Sequence, residues 1–193
     1  MVGLKRNINL KVKRLDNKTV LPSYAHDGDA CMDITVNSVE YNPELDEYIY
    51  GTGLSVETSI PAAMFIHPRS SNHKTNYYLT NSVGVIDCKT YRGEIKLIFK
   101  HRDTIRQRLA AIALEQVNQL PWYQKIFFGY TLEKTINKLK ENFYADPIKW
   151  APYKPGERAA QVWLHPIRPI TITETDELTP TDRGDGGFGS TGK

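Results

Sequence analysis

The sequence is poor in cysteine and has no long apolar run, and both shortages limit what the protein can be. Among its 193 residues, only Cys31 and Cys88 are cysteines, too few for a disulfide scaffold and without zinc-type spacing. A reducing, cytoplasmic location is the simplest expectation. No stretch approaches the roughly 20 apolar residues that span a bilayer, and residues 1–13 alternate charged and apolar side chains, unlike a signal peptide. The sequence therefore predicts no membrane contact.

A strong excess of positive charge is also missing. The formal net charge is +3, and residues 103–154 carry eight Lys or Arg against five Asp or Glu, so the whole excess lies in that segment. An excess of this size does not form the basic patch typical of nucleic-acid binding. We therefore expect no nucleic-acid partner.

Short strands separated by turns dominate the pattern. Residues 7–15 place Ile8, Leu10 and Val12 at alternate positions, which is typical of a half-buried strand. Further strands are expected at residues 62–66, 76–80, 95–99, 160–164 and 170–173. This pattern favours an all-β sandwich, barrel or jelly roll formed as a single domain by residues 1–193.

A helical segment interrupts the strands. Thr104 and Gln107 have the spacing of a capping box and precede apolar side chains at helical intervals. A second helical stripe, at i, i+4, i+7 and i+11, consists of Leu132, Ile136, Leu139 and Phe143. We expect residues 103–153 to form a mainly helical insertion between neighbouring strands. Nine of the chain's twenty aromatic residues lie there, which fits either a cap packed on the body or a surface that binds a protein partner or a neighbouring subunit.

Three segments carry chemistry suited to anions or planar ligands. Residues 183–193 combine five glycines with Arg183 and two hydroxyls, and glycine lets backbone N–H groups approach phosphate oxygens closely. An arginine stands beside two hydroxyls in residues 68–71, a set that can hold phosphate oxygens. Residues 84–87 end an apolar strand in Asp87, and Tyr91 begins a turn back into residues 94–99, which predicts a β-hairpin with both side chains at its tip. Each segment alone is equally compatible with an ordinary turn or tail.

In their order along the chain, these segments resemble the motifs of the trimeric dUTPases, which hydrolyse dUTP to dUMP and pyrophosphate. The five matching stretches are residues 29–33, 68–71, 84–93, 156–161 and 183–192. The resemblance covers residues 5–102 and 154–193, and phage-type members are similar in having an insertion after the third motif. It implies a dUTPase-like jelly roll. Two departures are Cys31, where the family usually has glycine, and one extra residue between Asp87 and Tyr91.

The resemblance also implies the site residues. Asp87, Ser70 and Gln161 would be catalytic, with Asp87 activating a water that attacks the α-phosphorus. The implied substrate contacts are Arg69, Ser71, Gly84, Val85, Ile86, Tyr91, Arg183, Gly187, Phe188, Gly189, Ser190 and Thr191. Residues 183–193 would act as a flexible lid. Mg²⁺ would be bound mainly through the triphosphate, with Asp33 reaching it through water.

The family's homotrimer shares each active site among its subunits, so a homotrimer is implied here as well. Two rival functions remain open from the sequence. One is an enzyme related to dCTP deaminase, which has a similar fold and parts of the same phosphate site. The other is a regulator that binds a protein through the insertion and uses the nucleotide as a switch.

Overall fold

The computed structural model describes residues 8–125 and 128–182, which form ten strands and three α-helices. The strands are β1 Leu10–Arg14, β2 Met32–Thr35, β3 Ser38–Asn42, β4 Glu47–Gly51, β5 Leu54–Thr58, β6 Ala62–Pro68, β7 Tyr77–Leu79, β8 Gly84–Asp87, β9 Lys96–His101 and β10 Arg158–Pro166. The helices are α1 Ile105–Asn118, α2 Trp122–Lys125 and α3 Phe128–Ala145, with 3-10 helices at Ser70–Lys74 and Pro147–Trp150.

Two antiparallel four-stranded sheets enclose the core. One has the order β2-β10-β6-β8 and the other β3-β4-β9-β7, while β1 and β5 form a separate pair. Alternation along the strands decides which side chains are inside: Tyr48 and Tyr50 of β4 are fully buried, as are Ala160 and Val162 of β10. The arrangement confirms the expected all-β jelly roll with a helical insertion. No helix within the described ranges is long and apolar enough to cross a bilayer.

The structure confirms five of the expected strands and contradicts the sixth. The segments expected at residues 7–15, 62–66, 76–80, 95–99 and 160–164 appear as β1, β6, β7, β9 and β10. The strand expected at residues 170–173 does not form. Ile170 is 86% and Ile172 92% exposed, so this alternating segment lies against no sheet edge of its own chain. An alternating pattern needs such an edge to become a strand.

Two expected connections are also wrong. Residues 84–99 do not form a hairpin, because β8 pairs with β6 while β9 pairs with β4 and β7. The turn after Asp87 therefore crosses from one sheet to the other. The insertion likewise links β9 in one sheet to β10 in the other, instead of joining neighbouring strands. Alternation identifies a strand but carries no information about which edge it pairs with.

The insertion begins with the expected capping box. The Thr104 hydroxyl accepts a hydrogen bond from the Gln107 amide, and the Gln107 side chain accepts one from the Thr104 amide. Helices α1 and α3 pack together with Leu109 and Phe143 buried. The Phe143 ring also meets Tyr41 of β3 edge-on, with ring centroids 5.4 Å apart. The helices are thereby packed onto the body.

A shielded ion pair fastens the insertion to the β3–β4 turn. The Arg108 guanidinium donates to the Asp46 carboxylate at 2.8 Å and to the Tyr77 hydroxyl at 3.1 Å. Its carbon lies 5.4 Å from the centroid of the Phe143 ring. The Arg108 side chain is 11% exposed, so water screens this pair little.

Replacing the Asp46 charge is expected to cost substantial stability. In Asp46→Asn, the free energy of unfolding should fall by about 3 kcal/mol, because Arg108 is left shielded from water without its counter-ion. Asparagine tolerates the positive φ of 50° at this position, so backbone strain does not confuse the result. Urea unfolding measures the change.

The control is Lys11→Met, which breaks the exposed ion pair to Glu57 at 3.8 Å. Its effect should stay within about 0.5 kcal/mol. Equal losses of unfolding free energy in the two variants would contradict the conclusion that the ion pair between Arg108 and Asp46 is the more stabilising one.

Candidate active site

A cavity of about 360 Å³ opens where the end of β6 meets β2 and the start of β10. Its lining residues are Ala25, Asp29, Ala30, Cys31, Asp33, Arg69, Ser70 and Gln161. It thus brings together parts of three segments that are far apart in the sequence, residues 29–33, 68–71 and 156–161.

Strand register places the polar side chains side by side. Gln161 of β10 lies opposite Asp33 of β2 on one side and His67 of β6 on the other. Directly paired residues share a face, and the neighbours of Gln161 on β10 point into the core. The cavity therefore lies on the outer face of the sheet.

The Asp33 carboxylate organises two guanidinium groups. One oxygen accepts from Arg69 Nε at 3.0 Å and the other from Arg158 Nη1 at 2.8 Å. The Asp33 side chain is largely buried, so these charge-assisted bonds are well defined. Arg69 Nη1 also donates to the Arg158 carbonyl at 3.3 Å. An arginine has five N–H donors, so further N–H groups of Arg69 remain for an anion in the cavity.

Arg158 was not among the sequence-predicted site residues. In a regular strand it would point away from Gln161, because residues three apart face opposite sides. The pairing of β10 with β2 shifts register between Arg158 and Ala160, and this bulge turns Arg158 toward Asp33. The available signal was its place within the 156–161 segment.

The turn after β6 presents the predicted serines. Residues 70–74 form a 3-10 helix in which Ser70 and Ser71 are exposed and Asn72 is buried. The Asn72 amide donates to the Arg69 carbonyl at 2.9 Å, which closes the turn. Ser70 lines the cavity, whereas Ser71 lies beside it.

The residues predicted around Asp87 form a second group. Asp87 is exposed at the end of β8, and Val85 is also exposed, while Ile86 is half-buried and Gly84 is buried. The Asp87 carbonyl accepts the amide of Tyr91 at 2.9 Å. These contacts start the turn that leaves the sheet.

Arg92 holds the turn after Asp87, which has the extra residue between Asp87 and Tyr91. Its guanidinium donates to the carbonyls of Cys88, Lys89 and Tyr91 at 2.9–3.3 Å. The Tyr91 hydroxyl donates to the Glu94 carbonyl at 3.1 Å. A Cβ at Gly93 would overlap that hydroxyl, so a larger residue there would displace the Tyr91 side chain. Tyr91 thus lies folded against its own turn.

The two groups do not meet within one chain. Asp87 pairs with Ala63 of β6, which pairs with His165 of β10, four residues beyond Gln161. With two strand spacings and four residues of rise, Asp87 lies about 16 Å from Gln161. A single copy therefore presents a polar cavity and, apart from it, the turn that carries the Asp87 carboxylate.

Among residues 8–125 and 128–182, no group of three or more His, Cys, Asp and Glu side chains could hold a metal ion. Both Asp33 oxygens already accept from guanidiniums. The predicted lid contacts lie outside the described residues: Arg183, Gly187, Phe188, Gly189, Ser190 and Thr191.

Comparisons with known proteins agree on one family. A family model described as dUTPase matches residues 17–144. The deoxyuridine 5'-triphosphate nucleotidohydrolase of Alkaliphilus metalliredigens is 31% identical over 186 residues, covering 95% of this chain and 97% of that protein. The protein of the same name from Clostridium acetobutylicum is 28% identical, with 96% of this chain and 97% of that protein covered.

Solved structures show the same fold. The dUTPase of Staphylococcus bacteriophage 80alpha with dUPNHPP aligns with 96% of this chain and 99% of its own, at a TM-score of 0.59 and 19% identity. A variant dUTPase from phage phi11 of S. aureus, described with a structural Mg(II) ion, covers 89% of this chain and 99% of its own, at a TM-score of 0.56 and 14% identity.

Arg69→Lys should weaken anion binding in the cavity. A lysine has one nitrogen, so it cannot replace both the Nε bond to Asp33 and the separate guanidinium N–H groups that would meet an anion. Affinity for inorganic pyrophosphate should therefore fall at least about tenfold. Isothermal titration calorimetry measures it. Arg102→Lys, just beyond β9 in the other sheet, is the control and should bind like the unmodified chain. Unchanged affinity in Arg69→Lys would show that the cavity is not an anion site.

Proposed function

The chain belongs to the dUTPase family and is a dUTP diphosphatase, and we propose that an Asp87-activated water attacks the α-phosphorus of dUTP to give dUMP and pyrophosphate. The observation that supports binding of the triphosphate most directly is the cavity itself. It combines an arginine, a serine hydroxyl and a glutamine on one face, beside a carboxylate that holds the arginine in place.

The phosphate chain would lie in this cavity. Arg69, Ser71 and Gln161 would bind its oxygens, and Ser70 would donate to the oxygen that gains charge as the α–β bond breaks. The Asp33 contact supports this role because it fixes the Arg69 guanidinium before substrate arrives. Such fixed donors need no rearrangement during the reaction.

Asp87 would activate the attacking water, and the rest of β8 would bind the uracil. Among the described strands, β8 is the outer strand of its sheet and pairs with β6 along one side, so its other edge would offer backbone donors and acceptors to the uracil edge. Gly84, Val85 and Ile86 supply that edge. Tyr91 would pack on the deoxyribose and exclude a 2′-hydroxyl.

We further propose a homotrimer in which one copy's Asp87 completes another copy's cavity. The separation of about 16 Å between Asp87 and Gln161 supports sharing, since the cavity that Gln161 lines does not include Asp87. The exposed isoleucines at 170 and 172 support it too, because such apolar side chains are normally covered by a partner surface.

The lid and the metal are proposals that rest on the family resemblance. Residues 183–193 would close over the nucleotide, with Phe188 on the uracil and Arg183, Ser190 and Thr191 at the γ-phosphate. Mg²⁺ would neutralise phosphate charge while held mainly by the triphosphate. A carboxylate has about four acceptor positions, so Asp33 can accept from a hydrated ion and from both arginines together.

A second function is proposed for the insertion, namely binding a protein partner. Trp122 is 77% exposed and Tyr123 is more than half exposed on the short helix α2. Large exposed aromatics are common anchors of protein interfaces. The phage 80alpha dUTPase is itself described as controlling transfer of virulence genes by a G protein-like mechanism.

One assay tests the substrate. Pyrophosphate release is measured with dUTP, UTP, dCTP and dTTP, and we expect rapid release from dUTP alone. Ammonia is measured with dCTP in parallel. Ammonia release without dUTP hydrolysis would favour the deaminase-related enzyme instead.

Asp87→Asn tests the base. The amide keeps the size of the side chain but accepts protons poorly, so kcat should fall by about 10²- to 10⁴-fold while nucleotide binding largely survives. Asp176→Asn, a change at an exposed carboxylate beyond the barrel, is the control and should leave kcat unchanged. Retention of more than a tenth of the activity would exclude Asp87 as the base.

Mixing two inactive variants tests the shared site. Asp87→Asn and Arg69→Ala are refolded together in equal amounts, and activity is compared with each variant refolded alone. In random trimers, about one site in four joins an intact Asp87 to an intact Arg69 from another copy. Recovery near that level is expected. No recovery would indicate that each site belongs to one chain.

A further inference from the structure

The segment that leads from the insertion back to the barrel touches the turn that carries the serines. Tyr153 lies between the 3-10 helix Pro147–Trp150 and β10. Its side chain is buried against Phe99 and Tyr50, with ring centroids 5.2 and 6.0 Å away. The ring is thus fixed inside the core.

The Tyr153 hydroxyl reaches the buried residue of that turn. It donates to Asn72 Oδ1 at 2.8 Å. On its other side, the Asn72 carboxamide donates to the Tyr77 carbonyl at 2.8 Å. The side-chain carboxamide of Asn72 is therefore held between Tyr153 and the backbone of β7, and both hydrogen bonds are buried.

The backbone of Tyr153 is fixed as well. The Tyr50 hydroxyl donates to the Tyr153 carbonyl and accepts from the Tyr153 amide, both at 3.1 Å. Burial raises the pKa of Tyr153, although nearby Arg69 opposes the shift. The hydroxyl consequently stays protonated and remains a donor through neutral pH.

Asn72 in turn determines where Ser70 stands. The two residues belong to the same 3-10 helix, and the backbone N–H of Asn72 donates to the Arg69 carbonyl, which closes the turn. A displacement of Asn72 therefore moves the residues that line the cavity. Displacements of about 1 Å in a catalytic group can cost a hundredfold in rate.

We propose that Tyr153 is a positioning residue for phosphate-chain cleavage, acting through Asn72 to hold Ser70 at the bond that breaks. This inference rests on the proposed function of Ser70. It also joins the end of the insertion to the chemistry, because Tyr153 follows the insertion's last helix by three residues.

The first experiment compares two buried tyrosines. Tyr153→Phe keeps the ring and removes only the hydroxyl. The matched control is Tyr48→Phe, which removes a hydroxyl that donates to the Pro147 carbonyl at 2.9 Å and not to the serine turn. Steady-state kinetics with dUTP and urea unfolding are measured for both variants and for the unmodified enzyme.

We expect the two changes to separate in kcat. Tyr153→Phe should lower kcat about 5- to 30-fold with KM altered less than about threefold, because Ser70 acts mainly on the transition state. Tyr48→Phe should stay within about twofold in kcat, although it should lose similar stability. Equal kcat values in the two variants would overturn the inference.

A second comparison shows whether the effect passes through Ser70. In a Ser70→Ala background, Tyr153→Phe should cause less than about a twofold further loss of kcat, because residues acting as one unit are not additive. Full additivity would overturn the inference. If Tyr153→Phe folds poorly, Asn72→Ala serves instead. It removes the carboxamide that accepts the Tyr153 hydrogen bond and should reproduce the loss of kcat.

The outcomes also separate this inference from the proposed function. An unmodified enzyme that fails to hydrolyse dUTP would contradict both. An active enzyme whose Tyr153→Phe and Asn72→Ala variants both retain full kcat would overturn the positioning role alone.

Discussion

The double pairing of β10 is the constraint on which the site depends. This strand lies between β2 and β6, so one outward side chain, Gln161, is set beside residues from both neighbours. A slip of one residue would send Gln161 into the core and bring Ala160 or Val162 to the surface. The burial of those two neighbours therefore fixes the cavity, and the bulge beside them adds Arg158.

The fold and part of the site could be predicted from the sequence, for identifiable reasons. Strand alternation and the Thr104 capping box are local signals, and the structure confirms them. Edge pairing is not local, which is why the expected hairpin after Asp87 and the strand at residues 170–173 were wrong. The contact between Asp33 and Arg158 joins residues 125 positions apart and depends on a bulge that no periodicity reveals.

The insertion is closely joined to the barrel, although none of the five family-like motifs lies within it. Three buried tyrosine hydroxyls, of Tyr48, Tyr77 and Tyr50, donate to carbonyls in residues 147–153. Each bond gives a buried hydroxyl the hydrogen-bond partner that a buried polar group needs. The returning segment is consequently part of the core, and through Tyr153 it joins the end of the insertion to Asn72 in the turn beside the cavity.

The position of Asp33 between two arginines has a consequence for turnover. Its negative charge cancels one of the two positive charges, so in the proposed role the cavity would attract a multiply charged product less strongly than two unpaired guanidiniums would. Tight binding of the leaving pyrophosphate would slow its release, and binding that is equally strong before and after bond cleavage does not raise kcat. Under the proposed function, the same carboxylate that aligns the donors would therefore also limit product inhibition.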